Sequence, residues 1–203
     1  MELSKDFFEF KNDPVMNFKD LFAFAERVGV PDPIAMNLTT VTADNKPSSR
    51  IVLLKEVDKD GNFVFYTNYN SSKSQNMSNN PNVELLFFWQ QIYVQIKISG
   101  TVTKTSRKVS EAYFKTRPRI SQLGAWASYQ SELIENYEVL EDRFKKVEEK
   151  FKDQEVPCPP HWGGYIVYPE AFEFWFGMEG RLHYRYIYER SGDGGWLRKM
   201  KSP

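Results

Sequence analysis

The 203-residue chain contains a single cysteine, Cys158, and only two histidines, His161 and His183. One thiol excludes an internal disulfide and any multi-cysteine metal cluster, and with two imidazoles it cannot assemble a usual zinc site; it fits a reducing compartment. Neither sign of charge is in excess, since 27 Lys and Arg balance 27 Asp and Glu. No global field therefore draws the chain to nucleic acid or an anionic membrane, and any anion site must be local. No apolar run is long enough to span a bilayer, and the opening MELSKDFFEFKND lacks both the apolar core of a signal peptide and an Arg-rich transit pattern. The expectation is a soluble, cytoplasmic protein with neither nucleic acid nor membrane as partner and no metal. No G-x-G-x-x-G follows a strand, and neither G-x-x-x-x-G-K-[ST] nor a G-x-S-x-G elbow occurs, so the common dinucleotide, P-loop and serine-hydrolase sites are missing.

Aromatic residues, by contrast, make up 16% of the chain. This length can bury one sizeable, ring-rich core, so one domain is expected over residues 1–203, with 1–12 a flexible N-terminal segment. Asp13-Pro14 followed by Phe18, Leu21, Phe22, Ala25 and Val28, then Gly29, predicts a capped first helix. From Ala35 the pattern turns to strands at 36–42, 49–57, 63–68, 83–89 and 93–103, with Asp-Asn-Lys-Pro and Asp-Lys-Asp-Gly between the early ones as hairpin chemistry. Helices return at 106–116 and at 132–152, where Leu133, Tyr137, Leu140, Phe144, Val147 and Phe151 form one apolar stripe. Four further strands are expected at 164–168, 171–176, 182–190 and 196–200. The fold class is α+β, a mainly antiparallel sheet closed or nearly closed, with flanking helices.

Four segments could carry chemistry. Arg181, His183 and Arg185, two apart after Gly-Met-Glu-Gly, would share one face of an extended strand. Such a row fits either a solvated strand edge or an anion-binding, proton-handling surface. Arg50 and Lys55 bracket an apolar strand but lie five apart, so an ideal strand would send them to opposite faces. Tyr66 to Lys73 leaves a strand and opens a short helix with hydroxyls, amides and an ammonium, equally consistent with a phosphate site and a capped polar turn. Tyr113 and Arg117 share a helical face with Ser121 just past Pro118, three groups able to hydrogen-bond phosphate or, failing that, a Tyr-Arg stacking pair. The inventory holds cations and aromatic walls but no obvious protein nucleophile, which suits a protein that borrows a cofactor.

RIVLLK (50–55), FYTNYNSSK (65–73), YFKTRPRISQLGAWASYQS (113–131), PCPPHWGGY (157–165) and EFWFGMEGRLHYR (173–185) resemble, in order, the pyridoxine/pyridoxamine 5′-phosphate oxidase family. The resemblance implies a homodimeric, Greek-key-like FMN-binding split β-barrel with its sites between subunits. It further implies oxidation of pyridoxamine 5′-phosphate or pyridoxine 5′-phosphate to pyridoxal 5′-phosphate, with O2 reduced to hydrogen peroxide. Carried over by motif, FMN would be held by Arg50, Ile51, Val52, Leu53, Leu54, Lys55, Tyr66, Thr67, Ser72, Lys73, Gln95, Gln130, Ser131, Trp175 and Arg185. The substrate would meet Lys55, Tyr113, Arg117 and Ser121 at its phosphate, and Arg181 with His183 at its reacting carbon as the catalytic pair.

The chain departs from that pattern at several points. Ser72 stands where the family has arginine, Val94 and Lys97 replace arginines around Gln95, Phe176 replaces glutamine, Tyr184 replaces aspartate, and the chain ends Met200-Lys201-Ser202-Pro203 in place of Arg-Leu-x-Pro. Losing one charge-assisted hydrogen bond at Ser72 implies FMN binding weakened about ten- to a hundredfold. The competing classes are a diverged homologue that binds pyridoxal 5′-phosphate or FMN with little turnover, and a flavin reductase on the same barrel.

Overall fold

The computed structural model describes residues 9–203. Helix α1 (Pro14–Arg27) begins as expected, with the Asp13 carboxylate accepting from the Val15 amide and Pro14 in the first turn. Its Phe18, Leu21 and Ala25 are buried against the sheet. Strands β1 (Ala35–Val41) and β2 (Pro47–Leu53) form a hairpin, and the two-residue β3 (Glu56–Val57) pairs with β4 (Phe63–Asn68). After α2 (Ser72–Asn79) come β5 (Asn82–Trp89) and β6 (Val94–Lys104), then α3 (Arg107–Thr116), α4 (Arg119–Ala127) and α5 (Tyr137–Lys150), and finally β7 (Trp162–Phe176), β8 (Tyr184–Arg190) and β9 (Trp196–Met200).

All nine strands join one antiparallel sheet in the order β2-β1-β5-β6-β7-β4-β3, with β8 added to β7 and β9 to β8. The sheet curls so that β2 and β4 come into contact, giving the expected α+β split barrel. Its inner face buries Phe63, Phe65, Phe87, Ile96, Ile98 and Phe174 with α1, and a smaller cluster of Phe114, Leu123, Phe151, Val156 and Trp162 lies under α3 and α4. Among the described residues, no helix is long and apolar enough to cross a membrane.

Helix α3 ends before Pro118 as expected, but Pro118 then precedes the first turn of an unanticipated helix, α4, where its missing N–H costs nothing. Three expectations need correction. Helix α5 starts at Tyr137 behind an Asn136 cap, and Leu133 is 98% exposed outside it, so the apolar stripe reaches the core only through Phe144, Val147 and Phe151. The strands expected at 164–168 and 171–176 are one 15-residue strand, β7. Pro169 is absorbed by a register shift opposite Ser99 and Gly100, and Gly100 is required because a Cβ there would lie 2.0 Å from the Tyr168 carbonyl oxygen. Finally, residues 1–8 lie outside the described residues, but Phe10 stacks on Tyr186 at 4.0 Å and the Lys11 carbonyl accepts from the Tyr188 hydroxyl at 2.8 Å, so the segment expected to be flexible is anchored at these positions.

Candidate functional site

The chain changes partners between β2 and β3. Leu53 pairs with β1, the Leu54 amide bonds the Ile34 carbonyl, and the Lys55 amide bonds the Val64 carbonyl on β4. This break removes the strict alternation that would have separated Arg50 from Lys55, and both line one cleft of about 500 Å³. Ile51, Val52 and Leu53 form its β2 wall, while Leu54 turns into the core at 5% exposure and can offer only backbone. Tyr66, Thr67 and Lys73 enter from β4 and α2, Tyr113, Arg117 and Ser121 from α3 and α4, and Gln130 from the following loop. The cleft therefore gathers the two expected phosphate-binding segments, Tyr66 to Lys73 and Tyr113 to Ser121, which lie forty positions apart in sequence.

Among the described residues no carboxylate lines this cleft, and none of Arg50, Lys55, Lys73 and Arg117 has an ion pair. Lys73 is 8% exposed and its ammonium donates to neutral oxygens: Thr67 Oγ1 and Ser71 Oγ at 3.1 Å and Gln130 Oε1 at 2.9 Å. Burial, reinforced by the charge of Arg50, pulls the Lys73 pKa down to about 8. Arg50 likewise donates to the Leu38 carbonyl, Thr40 and Ser48, and burial lowers its pKa. The Arg117 guanidinium lies 4.6 Å over the Trp162 ring, and its buried Nη1 has no hydrogen-bond partner among the described residues. Cations desolvated without counterions are costly, and an anion in the cleft resolves the cost. The aromatic wall is a near-parallel stack: Tyr66 lies 4.0 Å from Tyr113 and 5.4 Å from Trp162 between ring centroids. Burial pushes the Tyr66 phenol up to about 12, so it remains a neutral donor. Trp162 was missed as a site residue in the sequence; its only signal was its place in the proline-rich PCPPHWGGY run.

Ser72 and Ser131 line an adjoining hollow of about 450 Å³ that shares Gln130 with the cleft. Ser72 is the exposed first residue of α2, its amide reaching Ser131 Oγ at 3.3 Å, and no side chain caps this helix.

The remaining expected residues stand elsewhere on the sheet. Gln95, Trp175 and Arg185 are register partners across β6, β7 and β8, so they form one row on the face opposite the core, continued by Phe88 on β5, which is 53% exposed. Arg185 is held by Glu173 Oε1, from Nε at 2.8 Å and Nη2 at 2.5 Å. Lys97, on the same face, is ion-paired with Glu84 at 3.2 Å. Phe176 and Tyr184 are cross-strand partners packed toward the core, so two of the departures are one aromatic pair and neither lines the cleft. The single strand face expected for Arg181, His183 and Arg185 does not form. Gly180 and Arg181 both have φ of 62°, which breaks the extended chain, and β8 begins only at Tyr184. Arg181 is exposed at the end of a 3₁₀ turn, whereas half-buried His183 lies with its ring 4.7 Å from Trp175. The His183 Nδ1 accepts from the Met178 amide at 3.0 Å, so Nε2 is the ring nitrogen not engaged by this contact.

The pyridoxamine 5′-phosphate oxidase profile matches residues 25–151, and the pyridoxine 5′-phosphate oxidase C-terminal dimerisation region matches residues 162–203. The chain belongs to the pyridoxamine 5′-phosphate oxidase family. Within this family it is 51% identical over 191 residues to the pyridoxine/pyridoxamine 5′-phosphate oxidase of Rubrobacter xylanophilus, covering 94% of this chain and 87% of that protein. It is 48% identical over 196 residues to the enzyme of the same name from Bdellovibrio bacteriovorus, covering 97% and 100%. Among solved structures, PhzG from Burkholderia lata in complex with tetrahydrophenazine-1-carboxylic acid superposes with a TM-score of 0.89 at 27% identity, covering 95% of this chain and 94% of that one. An FMN-binding oxidase-related protein of Nostoc punctiforme shares the fold at a TM-score of 0.76 and 15% identity, covering 94% and 98%. In family terms, the cleft and the Gln95-Trp175-Arg185 row fall on opposite sides of the boundary between the two matched regions, apart from Gln95 and Trp162.

Proposed function

We propose that this chain works as an FMN-binding homodimer that oxidises pyridoxamine 5′-phosphate and pyridoxine 5′-phosphate to pyridoxal 5′-phosphate, with O2 reduced to hydrogen peroxide. The observation that carries the reading is the carboxylate-free cleft where Arg50, Lys55, Lys73 and Arg117 converge beside stacked rings. Two phosphates, one on the flavin and one on the substrate, supply the missing counter-charge.

In this reading the β2 residues Arg50 to Lys55, with Tyr66, Thr67, Lys73, Gln130 and the Ser72–Ser131 rim, hold FMN. Lys55, Tyr113, Arg117 and Ser121 hold the substrate phosphate, whose oxygens match phenol, hydroxyl and guanidinium donors. Gln95, Trp175 and Arg185 contribute from the opposite copy; the match of residues 162–203 to a dimerisation region supports this for Trp175 and Arg185, and Gln95 is their register partner on β6. Arg181, with no ion pair among the described residues, orients the substrate and stabilises negative charge developing on it. His183, fixed by the Met178 amide, presents Nε2 for proton exchange at the reacting carbon. When bound, FMN accepts the two electrons of the oxidation and passes them to O2. The protein's task is therefore alignment and charge stabilisation; with the amine substrate, water then hydrolyses the oxidised imine to the aldehyde and ammonia, whereas the alcohol gives the aldehyde directly.

Purified protein supplied with FMN, O2 and pyridoxamine 5′-phosphate is expected to produce aldehyde and peroxide in equal amounts. A binding protein produces neither, and a flavin reductase requires NAD(P)H. The PhzG likeness makes a tricyclic carboxylic acid a useful control substrate; Tyr113, Arg117 and Ser121 favour the phosphate ester over it.

A further inference from the structure

Trp162 is where the cleft's cations, its aromatic wall and the proline-rich loop meet. It opens β7, is 6% exposed, stacks on Tyr66 and meets Phe114 edge-on at 5.0 Å. Arg117 lies over its ring at 4.6 Å, nearer than the 5.4 Å to the Phe114 ring, and among the described residues it has no carboxylate partner, so the indole is the closer of two ring faces that support the guanidinium. The backbone at Trp162 is in turn clamped by Arg107 on α3. Arg107 Nη1 donates to the carbonyls of Pro159 at 2.9 Å and Trp162 at 3.3 Å, its Nη2 to the Cys158 carbonyl at 2.5 Å, and its Nε to Glu111 at 2.7 Å. A guanidinium donating to three carbonyls of one short loop fixes that loop's path, and prolines at 157, 159 and 160 leave it few alternatives.

We propose that Trp162 is a positioning residue for phosphate recognition: its indole is the platform that holds Arg117 at the cleft, and Arg107 is the clamp that sets the platform. The inference rests on the reading that the ligand carries a phosphate, but not on the oxidation itself. It explains why Arg117 can keep a buried Nη1 without a hydrogen-bond partner among the described residues, since π-face contact restrains the group without using its N–H donors.

The test is calorimetric titration of inorganic phosphate into FMN-saturated protein for the wild type, Trp162→Phe and Trp162→Leu, each repeated with Arg117→Gln. Trp162→Leu is expected to weaken phosphate binding about tenfold and Trp162→Phe, which keeps a π face, about threefold or less. In the Arg117→Gln background the Leu change is expected to cost less than twofold, because the supported group is gone. Equal losses in both backgrounds, no loss at all, or a wild type that binds no phosphate would each overturn the proposal. If Trp162→Leu does not fold, the Phe pair carries the same comparison. Wild-type oxidation of pyridoxamine 5′-phosphate is measured in parallel. Absent turnover with the coupling intact contradicts the oxidase reading alone and supports the role of Trp162, whereas turnover without coupling contradicts that role alone.

Discussion

Replacing Lys73 with methionine is expected to stabilise the flavin-free protein while removing its grip on phosphate. The ammonium is buried among Thr67, Ser71 and Gln130 with no carboxylate, and its pKa falls from 10.5 to about 8. That gap corresponds to about 3 kcal/mol acting against folding at neutral pH. Hydrogen bonds lost to three neutral oxygens, roughly 0.5–1.5 kcal/mol each before the hydroxyls find other partners, offset part of the relief. With the loss at its low end, about 1.5 kcal/mol, because Thr67, Ser71 and Gln130 can bond one another once the ammonium is gone, the expected net gain is about 1.5 kcal/mol at pH 7. Because the folded value lies below the unfolded one, the unfolded chain binds the extra proton between about pH 8 and 10.5, so wild-type stability rises with pH through that window. By about pH 9.5 the wild type should recover roughly 2 kcal/mol that the methionine variant does not, erasing the variant's advantage. Urea unfolding of both flavin-free proteins at the two pH values reads this directly. A variant less stable than wild type at pH 7, or a difference unchanged between the two, would refute the reasoning.

Three further outcomes follow from particular contacts. Ser72→Arg at the open start of α2 is expected to tighten FMN about ten- to a hundredfold by restoring a charge-assisted bond, read by flavin fluorescence titration; wild-type protein that retains stoichiometric FMN through extensive dialysis contradicts the premise. Gly164→Ala would place a Cβ 2.8 Å from Tyr66 Cε1 and from Thr105, costing about 1–3 kcal/mol and disturbing the ring stack, so both the melting temperature and phosphate affinity should fall; an unchanged affinity would remove Tyr66 from the binding wall. His183→Asn is expected to slow single-turnover flavin reduction and flatten its pH profile, and an unaltered rate and profile would remove His183 from proton transfer.

Local chemistry was readable where a residue acts through its neighbours in sequence. Asp13-Pro14 starts α1, and the spacing of Phe18, Leu21 and Ala25 marks its buried face, because capping and helical periodicity are short-range. The α+β sheet and most of its strands were legible for the same reason. What was not legible depends on pairing between distant strands. Pro169 reads as punctuation until Ser99 and Gly100 provide a register shift to absorb it. Arg50 and Lys55 share a cleft only because the chain exchanges β1 for β4 between them. The opposite error occurred at Arg181 and His183, where alternation suggested one strand face and two residues at positive φ prevented it. The row of Gln95, Trp175 and Arg185 has no sequence periodicity at all, since three strands must register before it exists. Trp162 escaped because the residue it supports, Arg117, is 45 positions away and meets it only through the ring face.

The most direct test of the account is anaerobic mixing of FMN-loaded protein with pyridoxamine 5′-phosphate, followed by admission of O2. The flavin's visible absorbance is expected to bleach on mixing, with one aldehyde formed per flavin, and O2 to restore the colour with one equivalent of peroxide. A flavin that stays oxidised in the presence of saturating substrate would contradict it.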